Sequence, residues 1–82
     1  MVSQGNSMKG CILIKTESGR HGEVAREVKA INGVKAAFPV MGRTDVVAVL
    51  EAPDLKSMSR LVLRIGAVAG VAAAETLLAL EV

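Results

Sequence analysis

Residues 34–50 read VKAAFPVMGRTDVVAVL, two apolar runs with Gly42-Arg43-Thr44-Asp45 between them. Glycine takes the positive φ that tight turns require, so this stretch predicts a β-hairpin. Pro39 has no N–H to give to a ladder, which makes the first of the two strands an edge. The second strand is apolar on both of its faces: Val46, Ala48 and Leu50 lie on one, Val47 and Val49 on the other. A strand that faced water on one side would alternate apolar with polar. Both faces of this sheet therefore need cover.

Upstream, KGCILIKT (residues 9–16) is β-branched and apolar and predicts a strand. Glu17-Ser18-Gly19 breaks it, and Ser18 is placed to cap a helix running to about Ile31. Val24, Val28 and Ile31 fall on one face of that helix, and Asn32-Gly33 ends it. Downstream, Pro53 is expected to open a second helix, with Asp54 favourable to its dipole. Leu55, Met58, Leu61, Val62 and Ile65 form its apolar face, and Gly66 should loosen it. Val71 to Val82 then reads as a fourth strand, with Leu77 beside Leu78 and Leu80. Residues 1–8 are polar and aperiodic, and are expected to form a disordered leader.

The two halves repeat. A shift of 37 positions pairs Val24 with Leu61, Val28 with Ile65, Ile31 with Val68, Gly33 with Gly70 and Val34 with Val71, and upstream Cys11 with Ala48 and Leu13 with Leu50. Two such halves in series predict an α+β, ferredoxin-like βαββαβ domain with a four-stranded antiparallel sheet and two helices on one face. The helices cover one side of the sheet. A second copy of the same sheet is the simplest cover for the other, so a two-fold dimer is expected.

Composition agrees. The 82 residues are 51% hydrophobic with one aromatic, Phe38, and the mean hydropathy is +0.45. A chain of this size buries only about 60–65% of its unfolded surface, so the apolar excess points to an oligomer. The longest uncharged run, residues 65–74, is half the length of a membrane span, and the start lacks a signal peptide's apolar core. No membrane association and a cytoplasmic location are the expectation. Cys11 stands alone, which leaves no disulfide frame and no paired-cysteine metal site; no cofactor is expected. A net charge of +2 does not mark a nucleic-acid binder. Aromatic stacking platforms for RNA are absent. The one histidine, His21, opens a helix and has no partner for catalysis, so an enzyme is not expected.

From Lys9 to about Glu81 the chain resembles the effector-binding (RAM) domain of the Lrp/AsnC family of transcription regulators. The resemblance is carried by CILIKTESGRHGEVAREVKAINGV, MGRTDVVAVLEAPDL and GVAAAETLLAL, in the family's order and spacing. Full-length members carry an N-terminal helix-turn-helix domain that the eight preceding residues cannot hold. The expectation is a stand-alone RAM protein over residues 9–82, without specific DNA binding of its own. The resemblance implies dimers joined through their sheets, octamers (tetramers of dimers), mixed assembly with full-length Lrp/AsnC regulators, and an amino-acid effector held between neighbouring dimers.

It also implies a site. The family's hairpin turn, Gly-x-aromatic-Asp, stands here as Gly42-Arg43-Thr44-Asp45, with threonine in the aromatic position. Asp45 could accept the ligand's ammonium, and Arg43 or backbone N–H groups its carboxylate. The plain alternative is a structural turn with Asp45 bonding its own backbone. Thr76 and Leu78, on the last strand, are placed by the resemblance near the pocket of an adjoining dimer. Lys56, Arg60 and Arg64 form a basic stripe on the second helix, for which a solvated face is the simplest account. A small dimeric ferredoxin-like enzyme or an ACT-like regulatory subunit is the competing class; it would need a polar cavity of converging side chains.

Overall fold

The computed structural model describes residues 7–80. The elements run β1 (Met8–Thr16), α1 (His21–Lys29), β2 (Val34–Pro39), β3 (Val46–Ala52), α2 (Leu55–Gly66) and β4 (Val71–Leu78). The strands form one antiparallel sheet in the order β2-β3-β1-β4, the ferredoxin-like arrangement expected. Pro39 lies on an edge strand. Of the expected leader, only Ser7 and Met8 are described: Met8 begins β1, and Ser7 donates its hydroxyl to Glu51.

The register explains the two-sided apolar strands. Ile12 faces Ala48, Ile14 faces Val46 and Gly10 faces Leu50, and all five of the apolar residues in these pairs have no exposed surface. From α1, Val24, Ala25, Val28 and the following Ile31 close on this face; from α2, Met58, Leu61 and Ile65. Each fully buried side chain of this size contributes roughly 1.5–3 kcal/mol. The other face carries Cys11, Leu13, Val47, Val49, Ala36, Phe38 and Leu77, and neither of the described helices lies on it.

The 37-residue repeat holds for the helices and the turns after them but not for the strands before them, where Cys11 and Leu13 lie on the helix-free face and Ala48 and Leu50 on the covered one. Gly33 and Gly70 are equivalent, with φ of +103° and +98°. A Cβ on Gly33 would stand 2.9 Å from Leu61, and one on Gly70 would stand 2.9 Å from Val24. Leu61 and Val24 are themselves repeat partners, so the turn after each helix presses on the other helix. The turn bonds repeat as well: Val34 N–H donates to the Ile31 carbonyl and Val71 N–H to the Val68 carbonyl, both at 3.1 Å.

Four local expectations need correction. Ser18 does not cap α1: Arg20 N–H bonds the Glu17 carbonyl at 3.0 Å and Gly19 has φ +78°, so a closed turn delays the helix to His21. Pro53 lies outside α2, which is capped instead by Asp54, whose carboxylate accepts from Ser57 N–H at 2.8 Å. Leu55 is 59% exposed and lies at the rim of a cleft with Thr76 and Leu78 of β4 rather than in the core. The fourth strand ends at Leu78; Ala79 and Leu80 are not strand, although Ala79 N–H still reaches the Lys9 carbonyl at 2.8 Å.

Candidate functional site

The hairpin between β2 and β3 is closed by Val40 N–H donating to the Asp45 carbonyl at 2.9 Å. Gly42 has φ +147° and nothing lies within 4 Å of where its Cβ would be, so its main chain is open to approach. Asp45 is committed elsewhere than the simple turn reading expected. Its Oδ2 accepts from the Thr16 N–H at 2.8 Å and from the Thr16 hydroxyl at 3.3 Å, and its own N–H donates to the Ile14 carbonyl at 2.9 Å. The bond is not to its own backbone but across to β1, 29 residues away, and it ties the hairpin to the end of the central strand. The Thr16 amide holds the Asp45 carboxyl below its ordinary range against the opposing effect of desolvation, with Lys15 adding.

Arg43 and Thr44 overhang a shallow cleft of about 300 Å³, completed by Leu13, Lys15, Ala73, Ala74 and Glu75. Lys15 and Glu75 were not among the expected residues. The strand alternation held the signal: both fall on the helix-free side, at the end of the sheet that the turn reaches. Two cations and one carboxylate around a small cleft suit a zwitterion of small size. Thr76 and Leu78 are not part of it. They face the helix side of β4, where they line a mainly apolar cleft of about 350 Å³ with Leu55, Met58, Ser59, Val62 and Leu63. A single protomer therefore keeps the two groups of expected residues apart. A further cleft, of about 480 Å³, lies elsewhere again, between the α1–β2 turn and the start of α2. Among the described residues no group of three or more His, Cys, Asp or Glu is gathered as a metal would need. None of the described helices is long and apolar enough to cross a membrane.

Residues 9–82 match the family of the Lrp/AsnC ligand-binding domain. The chain belongs to that family. Among solved structures, this Lrp/AsnC domain is similar to TTHA0845 from Thermus thermophilus, with 25% identity, TM-score 0.85, and coverage of 92% of this chain and 95% of that one. It is similar to FFRP-DM1 with 26% identity, TM-score 0.84, and coverage of 89% and 99%. The transcriptional regulator NMB0573 from Neisseria meningitidis, solved in complex with L-Met, shares the fold with 22% identity and TM-score 0.78 over 90% of this chain and 50% of that one. A search of curated protein sequences gave no match. The Lrp/AsnC domain is a regulatory, ligand-binding module, and the hairpin turn belongs to its matched segment.

Proposed function

We propose that this Lrp/AsnC domain senses a free amino acid at the hairpin turn and acts through assembly. The observation that carries the reading is the cleft under Arg43 and Thr44, where Lys15, Arg43 and Glu75 offer both signs of charge within one small space. Arg43 and Lys15 take the ligand's carboxylate, and the open main chain at Gly42 lets it approach. Glu75 takes the ammonium, joined by the Asp45 oxygen that Thr16 leaves unused. Assembly completes the site: the helix-free faces pair into a dimer, and Thr76 and Leu78 approach the turn of a neighbouring dimer. The L-Met complex of NMB0573 supports the ligand class. Mixed assembly with full-length regulators is one route by which the signal would reach DNA, with no specific DNA contact by this domain.

A thermal-shift screen against the twenty amino acids tests the reading, since a ligand selective for the native state raises its melting temperature. One or a few amino acids should do so, and Arg43→Ala and Glu75→Gln should each weaken that ligand by about ten- to a hundredfold. A flat screen, or unchanged affinity in both variants, would refute sensing at the turn.

A further inference from the structure

The basic stripe on α2 borders a groove. The cleft of about 480 Å³ is lined by Asn32, Gly33, Lys35, Glu51, Ser57 and Leu61 among others, and a smaller one of about 190 Å³ by Asn32, Ser57, Arg60, Leu61 and Arg64. They share Asn32, Ser57 and Leu61, so they are two parts of one groove. Leu61 is its buried floor. The turn at Gly33 rests against Leu61 with no room for a Cβ, which fixes Asn32 on the wall opposite Ser57.

We propose that this groove binds a phosphate-bearing small molecule, its phosphate held by Arg60 and Arg64 with the Asn32 amide and the Ser57 hydroxyl. Between Asp54 and Glu75 the chain carries Lys56, Arg60 and Arg64 and no acid. Among the described residues none of these three cations is in an ion pair. Like charges four apart on a helix repel, and Lys56 stands in the first turn, where the helix dipole opposes a cation. A phosphate shared by Arg60 and Arg64 relieves the repulsion of that pair; Lys56 lines neither cleft. A merely solvated basic face needs only outward-pointing cations; it gives no reason for an amide and a hydroxyl on facing walls of a concave groove beside them. The planar guanidinium fork matches phosphate oxygens, and two arginines one helical turn apart can share them.

The nearby acids orient the ligand. Glu51 accepts from Ser7 and Asp54 caps α2 through Ser57 N–H, so the negative charge of the groove is at the end away from Arg64. The phosphate belongs at the arginine end, and the rest of the molecule runs toward Lys35, Ala52 and Pro53. A groove this short and concave suits a mononucleotide or sugar phosphate better than a duplex, whose binding needs many phosphate contacts along an extended surface.

The test is titration of the isotope-labelled full chain with AMP, pyrophosphate and adenosine at matched ionic strength, read by amide chemical shifts and calorimetry. AMP and pyrophosphate should perturb Asn32, Ser57, Arg60 and Arg64, and adenosine should bind at least tenfold more weakly than AMP. Arg60→Gln and Arg64→Gln should each lower AMP affinity at least fivefold, while the amino-acid response at the hairpin turn persists, so either reading can fail without the other. Silence of these four amides toward both phosphates at low millimolar concentration would overturn the proposal. So would a response to duplex DNA alone, which would make the stripe a nucleic-acid surface.

Discussion

The two faces of the sheet are built from the same kinds of side chain and meet different fates. On the helix side, Ile12, Ile14, Val46, Ala48 and Leu50 are wholly buried. On the other, Val49 of the same strand β3 is 39% exposed, and Phe38 and Leu77 on the flanking strands β2 and β4 are each 45% exposed. Aliphatic character alone therefore does not define the core. What separates the faces is the presence of a covering layer within the chain, and the uncovered one keeps an apolar surface of the kind that marks an interaction site. Its charged residues stand toward the ends, Lys9 and Glu51 at one and Lys15 and Glu75 near the other, leaving the middle apolar.

The comparison breaks most severely on the covered face. Leu50→Ala removes a fully buried side chain from the helix-covered face of β3, and should cost about 2–5 kcal/mol of folding stability. In so small a domain that is a large part of the total. Denaturant unfolding should show the loss at every protein concentration, because the cavity lies inside one protomer. A loss under about 1 kcal/mol would mean that the helices do not pack as described.

Val49→Asp, one position away, should act on a different property. In the isolated protomer the new carboxylate is half in water, and folding stability should change by about 0.5–1 kcal/mol. In the proposed dimer it would be buried without a partner, at a cost of several kcal/mol. Sedimentation should then show dimers of the parent chain and monomers of the variant at the same micromolar concentration. A parent chain that sediments as a stable monomer would remove the dimer from the proposed function and leave the face for another partner.

The same contrast explains what the sequence disclosed. The strand and helix periods are written in the sequence, so the fold and the edge position of Pro39 were readable; which of the two apolar sets in Val46 to Leu50 the helices cover was not, because both are apolar, and Leu55 was read as core but is exposed. The helix starts were less readable than the fold. Ser18 and Pro53 are both acceptable at a helix N-terminus, and the choice against them was made by competing local bonds three residues long, Arg20 N–H to the Glu17 carbonyl and Ser57 N–H to the Asp54 carboxylate. At the candidate site, Gly42 was legible because its turn is local. The partner of Asp45 was not: Thr16 is distant in sequence and meets it only through the β1–β3 register. Lys15 and Glu75 escaped for a related reason, since their place beside Arg43 depends on how far the turn leans over β1 toward β4.

Asp45 offers the finest test, because it joins the turn to the central strand without contributing to either apolar face. Its folded carboxyl titrates below the ordinary 3.8, chiefly because the ionised form accepts the Thr16 N–H. A depressed folded value means that the ionised group favours the native state. That contribution is complete above the unfolded value near 3.8 and is lost as pH falls through the lower folded one. Asp45→Asn keeps an oxygen for the Thr16 N–H but has no charge to titrate. The variant should be slightly less stable than the parent at about pH 7, and the two stability curves should converge as pH falls below 3.8. Glu51 and Asp54 also titrate low, but they are present in both proteins and cancel in the difference. Urea unfolding from about pH 7 down to about pH 2.5 measures it. A difference that stays constant across that range would mean that the clip works through shape and hydrogen-bond geometry, and that the charge of Asp45 contributes nothing to holding the turn.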